Sequence, residues 1–136
     1  MREDSGAASW GVTLLRLVVG AVFFVHGCQK LFVYGIPGVI HYFTSVGVPS
    51  PELVAPSVAV LECIGGAGLI SGLRTRWAAA LLAIDMMGAI VTVKWKGGFF
   101  APAGFEYELT LLVACLSLVL MGPGSASVEG MLQKRK

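Results

Sequence analysis

Residues Trp10 to Phe32 read WGVTLLRLVVGAVFFVHGCQKLF, an apolar run of 23 residues interrupted by Arg16, His26 and Lys30. A helix of about 20 residues spans about 30 Å of hydrocarbon, and no segment here alternates polar and apolar residues as a barrel strand does. Three further runs follow, at about 51–73, 77–95 and 105–121. The expected fold is therefore all-α, an integral membrane four-helix transmembrane bundle formed by residues 1–136 as one domain. Residues 123–136 form its cytoplasmic tail.

Composition agrees. The chain has 136 residues, of which 56% are hydrophobic and 13% charged, against about 25% charged in a soluble domain. Mean hydropathy is +0.80. A net charge of +2 is too small to argue for nucleic acid, and the lipid bilayer is the expected partner. Met1 to Ser9 lacks the basic start of a secretory signal. The run ending Val25-His26-Gly27-Cys28 is expected to stay in the membrane rather than be cleaved.

Turn residues mark the helix ends. Ser50-Pro51-Glu52 reads as an N-cap, a proline in the first turn and an acid at the positive end of the dipole. Gly122-Pro123-Gly124 stops the last helix. Basic residues in short loops set orientation: Arg2, Arg74, Arg76, Lys134, Arg135 and Lys136 share one side, which places both termini in the cytoplasm. Trp10 and Trp77 then mark the inner interface, and Tyr34, Tyr42, Trp95 and Tyr107 the outer one. Between helices 1 and 2, the mostly apolar Val39-Ile40-His41-Tyr42-Phe43 predicts a short interfacial or re-entrant segment.

Ionisable groups at bilayer depth are costly and usually face a bundle interior. At about 1.5 Å and 100° per residue, Arg16, His26 and Lys30 lie on one stripe of the first helix. Arg16, Glu62 and Asp85 fall at similar depths and are expected to form an inner polar network. His26 and Lys30 reach the level of Glu106, and these three are the expected ligand-binding cluster nearer the outer leaflet. Glu106 shares a face with Thr110 and Ser117 and is expected to look inward, with Glu108 turned to the headgroups. A histidine beside a lysine and opposite a carboxylate can bond a carbonyl or hydroxyl and exchange protons with it. In a membrane, a quinone headgroup is the natural candidate.

Other chemistries are disfavoured. Cys28, Cys63 and Cys115 form no CxxC pair and read as buried small residues. Only His26 and His41 are available as imidazole ligands, so no metal, haem or flavin site is identified. The glycines Gly65, Gly66, Gly68 and Gly72, with Gly68-xxx-Gly72 among them, serve close helix packing.

The run Leu14-Leu15-Arg16-Leu17, followed by Phe24-Val25-His26-Gly27-Cys28-Gln29-Lys30-Leu31, resembles the opening helix of the DoxX family of DoxX/DoxD-like membrane proteins. Leu61-Glu62-Cys63-Ile64-Gly65-Gly66, the turn Gly72-Leu73-Arg74-Thr75-Arg76, Gly104-Phe105-Glu106-Tyr107 and the Gly122-Pro123-Gly124 stop continue the likeness over about residues 10 to 125. The resemblance implies a four-helix bacterial inner-membrane protein linked to redox or sulfur metabolism. In that resemblance the family's polar positions map onto Arg16, His26, Lys30, Glu62 and Glu106. Some family members are named as subunits of a thiosulfate:quinone oxidoreductase or quinol oxidase, others as parts of oxidoreductase complexes in oxidative-stress defence.

Two functions are therefore expected to compete. One is a quinone-linked or sulfur-related membrane oxidoreductase component with its ligand held at the outer cluster; no catalytic residue is assigned. The alternative is a non-catalytic anchor that gathers soluble redox enzymes at the cytoplasmic face through the basic tail Lys134-Arg135-Lys136. Glycine faces make a homo-oligomer an expectation of either reading.

Overall fold

The computed structural model describes residues 2–135, with side chains from Gly6 onward. Lys136 and the side chain of Arg2, both counted above among the inner cations, lie outside the described residues. The protein is all-helical, 82% helix with no strand among the described residues. Helix α1 spans Arg2–Cys28 and continues through a wider π-helical stretch, Gln29–Tyr34, into α2, Gly35–Ser45. Then come α3 (Pro51–Ser71), α4 (Thr75–Ala89), a second π-helical stretch (Ile90–Lys94), α5 (Glu106–Met121) and a short α6 (Val128–Gln133).

Among the described residues, three helical stretches are long and apolar enough to cross a membrane: Gly6–Ser45, Pro51–Ser71 and Thr75–Gly97. At 16 residues, α5 reaches only about 24 Å, short of a full hydrocarbon core. The structure thus establishes three spanning lengths where the sequence suggests four. Helix α5 nonetheless packs on α4 and touches α1, as α1 packs on α3 and α3 on α4. Val19, Phe23, Leu69, Leu82, Met86, Leu112, Cys115 and Leu118 fill the space between them.

The stretch Gly6–Ser45 is continuous over 40 residues, about 60 Å if straight and twice the hydrocarbon core. It does not stay straight. Gly35 takes φ +70°, a left-handed value open to glycine at little cost, and α2 leaves the axis there. Val39 and Phe43 of α2 then bury against Val48 and Ala55. Helix α2 is therefore laid over the N-terminal end of α3.

Glycine sets the α1–α3 contact. A Cβ built on Gly66 would lie 2.5 Å from Phe24 N and 2.7 Å from Gly20 O, and one on Gly27 would lie 2.6 Å from Cys63 N. These neighbours are backbone atoms and cannot swing away. Gly68, by contrast, meets Ala78 Cβ at an ordinary 3.5 Å, while a Cβ on Gly72 would run into the Arg16 guanidinium and lie 2.6 Å from Ser127 Cβ. The close backbone approach of α1 to α3 therefore belongs to Gly20, Gly27 and Gly66. Gly66→Ala is expected to destabilise the fold by about 1–3 kcal/mol, the usual range for overpacking. Thermal melting in detergent checks it against Gly11→Ala, where nothing lies within 4 Å and no loss is expected.

The α3 N-terminus differs from expectation. Ser50 has φ 48° and ψ 55°, and its side chain makes no cap hydrogen bond. The left-handed backbone removes the hydroxyl from the capping position, and only the Ser50 carbonyl serves the first turn, accepting from Leu53 N and Val54 N at 3.0 Å. At the opposite end of the molecule, two arginines close two helices. Arg16 donates to Leu69 O (2.9 Å) and Ile70 O (3.4 Å) in the last turn of α3. Arg76 donates to Val119 O (2.6 Å) and Leu120 O (3.1 Å) in the last turn of α5. Cations there satisfy orphan carbonyls and suit the negative end of the helix dipole.

Candidate functional site

Between α1, α2, α3, α4 and α5 lies a cavity of about 810 Å³. Its walls are mostly apolar, with Phe23, Val39, Phe43, Val58 and Met86 among them. Into it converge His26, Lys30, Glu62, Asp85, Lys94, Tyr107 and Glu108. Helix α2 contributes Val39, Tyr42 and Phe43 and covers part of the opening.

Two π-helical stretches flank this cavity. The first supplies Gln29, Lys30 and Tyr34, the second Thr92, Val93 and Lys94. A π-helical turn shifts the angular register of the residues after it, and such turns recur at functional sites. Here they turn both lysines toward one space.

The polar groups are paired across helices. Lys30 on the α1 extension binds Glu62 on α3 in an ion pair, and the Glu62 side chain is only 4% exposed. Asp85 on α4 lies beside Glu62. Lys94 Nζ stands 3.5 Å from Glu108 Oε1 and donates to Pro102 O at 2.7 Å. His26 Nε2 and Tyr107 Oη are 3.4 Å apart; both residues are exposed as well as wall-forming, which puts them where the cavity meets the outside, between α1 and α5. Asp85 Oδ2 and Glu108 Oε2 are buried without a hydrogen-bond partner. Buried acceptors of this kind call for an explanation, and a ligand hydroxyl supplies one.

The expected clusters are thus rearranged. His26, Lys30, Glu62 and Asp85, assigned above to two depths, line one cavity. Arg16 does not join them. It is 1% exposed, and its guanidinium serves Leu69 O, Ile70 O and, from Nη2, Ala126 O. Glu62 stands seven residues before Leu69 on the same helix, about 10 Å away along the axis, too far for Arg16 to neutralise. Lysine's long stem carries the Lys30 ammonium to Glu62 instead.

Glu106 and Glu108 exchange roles. The Glu106 carboxylate turns back to accept from Ala101 N at 2.8 Å and lies outside the cavity walls. Glu108 is buried on the α5 face that carries Leu111, Leu112, Cys115 and Leu118. The polar face read from Thr110 and Ser117 misleads, because their hydroxyls bond carbonyls of their own helix, Glu106 O and Val113 O, at 2.9 Å. Such side chains need no polar neighbour.

Sequence reasoning also missed Tyr107, read there as an interface marker, and Lys94 as site residues. Nor did it place two thiols together: Cys28 Sγ and Cys63 Sγ are 3.8 Å apart across the α1–α3 contact.

These features define a helical membrane protein with a partly open, mixed-charge chamber. The DoxX family description matches residues 11–95, more than half of the chain. The chain belongs to the DoxX family. It is 39% identical to a Bacillus subtilis protein named "Putative oxidoreductase CatD", over 93% of this chain and 90% of that one. It is 35% identical to an uncharacterized membrane protein of Mycobacterium tuberculosis, over 96% and 93% of the two chains. Inner membrane protein YphA of Escherichia coli is 29% identical over 93% and 94%. No solved structure matches.

Proposed function

We propose that this membrane protein is a quinone-binding component of an oxidoreductase, with the headgroup held in the chamber between His26, Lys30 and the Glu62–Asp85 pair. The observation that carries the reading is the convergence of donors and bare acceptors in one apolar-walled cavity. A quinone presents carbonyls, which accept from Lys30, Lys94, His26 or Tyr107. A quinol presents hydroxyls, which donate to Asp85 Oδ2 or Glu108 Oε2. A site holding both kinds of group serves both redox forms of one ligand, and its largely apolar lining suits such a ligand.

The chamber's charge speaks against a sulfur oxyanion. Three carboxylates (Glu62, Asp85, Glu108) face two lysines (Lys30, Lys94), and a dianion gains nothing from such a balance. A relative named as an oxidoreductase agrees with redox work without naming its substrate.

The reading includes a topology: α1, α3, α4 and α5 all cross the bacterial inner membrane, α5 extended by Phe105 and Gly122, with both termini in the cytoplasm. Exposed Trp10 and Trp77 at one end, and exposed Tyr34, Tyr42 and Trp95 at the other, suit the two interfaces.

His26→Ala is the direct test. His26 is exposed, and its contact with Tyr107 is long at 3.4 Å, so stability is expected to hold. Binding of decylubiquinone to the purified protein is expected to weaken about tenfold, the equivalent of about 1.4 kcal/mol. Unchanged binding would remove His26 from the site.

A second reading, anchorage of soluble redox enzymes, is supported by α6, where Met131 is 61% and Leu132 52% exposed just before Lys134 and Arg135. Pull-down with and without residues 128–136 tests it; a partner set that survives truncation contradicts tail-mediated anchoring.

A further inference from the structure

No cysteine is among the residues that line the chamber. A pair of thiols lies instead on other faces of two of its helices. Cys28 and Cys63 bring their Sγ atoms to 3.8 Å, and disulfide formation needs a further approach of about 2 Å. The contact follows from the backbone packing. Gly27 leaves no side chain between the helices, and a Cβ there would sit 2.7 Å from Cys63 Sγ and 2.9 Å from Ala59 O.

Position decides which oxidant reaches the pair. On a helix, Cys28 points about 200° away from His26, and neither cysteine belongs to the chamber wall. Both are partly exposed. Val25 and Phe32, three before and four after Cys28, are 63% and 80% exposed, and Val60, three before Cys63, is 45% exposed. These residues share the cysteines' faces, and in a spanning helix pair such a surface meets acyl chains. The pair therefore opens toward the bilayer, where a lipid-soluble oxidant travels. Cys115, fully buried in the core, has no such access.

We propose that Cys28 and Cys63 are a dithiol–disulfide redox pair oxidised by a membrane quinone. Two S–H bonds break and one S–S bond forms. The two electrons and two protons pass to the quinone oxygens, which leave as quinol. The inference rests on the quinone-linked reading for the identity of the oxidant, while the pairing of the thiols rests on geometry alone.

The test uses the full chain in phosphatidylethanolamine–phosphatidylglycerol vesicles, without oxygen, exposed to decylubiquinone, whose substituted ring resists thiol addition. Maleimide labelling of the denatured protein is expected to fall from three free thiols to one, with a Cys28–Cys63 disulfide in the peptide map and one quinol formed per disulfide. Cys28→Ser and Cys63→Ser are each expected to keep both remaining thiols and to form no quinol. Three thiols surviving in the wild type overturn the proposal, as does a bridge to Cys115. A bridge formed by diamide but never by decylubiquinone also overturns it, since the pair would then close without being quinone-linked. Binding of decylubiquinone to Cys28→Ser separates this inference from the chamber reading. Binding kept while the wild type forms no disulfide sinks the redox pair alone; binding lost from the wild type itself sinks the chamber.

Discussion

Arg16→Met is expected to destabilise the protein by several kcal/mol and to free its C-terminal segment. The Arg16 guanidinium holds three backbone carbonyls, Leu69 O, Ile70 O and Ala126 O. A buried carbonyl left without its donor costs about 1–3 kcal/mol, so roughly 3–9 kcal/mol is at stake if the three are nearly independent. One of the three joins residue 16 to residue 126, and the neighbouring bonds from Ser125 Oγ to Ser9 Oγ and from Glu129 N to Gly72 O depend on the same docking. Melting temperature in detergent and protease cleavage near Ser125 should change together. Arg16→Lys is expected to recover only part of the loss, since an ammonium lacks the planar fork that reaches several acceptors. A melting temperature unchanged in Arg16→Met would contradict this role of the guanidinium.

Lys30→Met is expected to cost about 3–5 kcal/mol, the range for removing one partner of a buried ion pair. Glu62, 4% exposed at its side chain, would keep its burial and lose its cation. Replacing both groups by apolar residues often restores stability, so Lys30→Met with Glu62→Leu should melt close to the wild type. The double variant separates structure from function. If the pair served only to fix helix register, ligand binding would return with stability. The chamber reading predicts instead a stable protein that no longer binds decylubiquinone, measured by equilibrium dialysis in detergent.

Much of the fold was legible because long apolar runs and turn residues report directly on bilayer length and helix ends. Gly122, at φ +83°, ends α5 after Met121 as the Gly122-Pro123-Gly124 motif implies. The Arg74 turn joins α3 and α4 as a tight antiparallel connection. What one-dimensional reading lost was angle and reach. Counting at a constant 100° per residue cannot foresee the π-helical stretches at Gln29–Tyr34 and Ile90–Lys94, which rotate Lys30 and Lys94 into the chamber. Depth counting placed Lys30 well above Glu62, yet a lysine stem closes that distance. Polarity on α5 was misread because Thr110 and Ser117 satisfy themselves on their own helix, while the buried acid is Glu108. The Cys28–Cys63 contact was invisible for a different reason: the cysteines lie 35 residues apart and meet only because Gly20, Gly27 and Gly66 bring two helix backbones together.

The central claim is that the chamber between α1, α3, α4 and α5 holds a quinone headgroup. Photolabelling with an azidoquinone, followed by peptide mapping, tests it most directly. Saturable labelling is expected on the peptides carrying His26–Tyr34 and Tyr107–Leu111, suppressed by excess decylubiquinone and absent from Lys30→Met with Glu62→Leu. Labels confined to outward residues such as Leu14, Ile64 or Leu120, rising linearly with probe and indifferent to competitor, would contradict it.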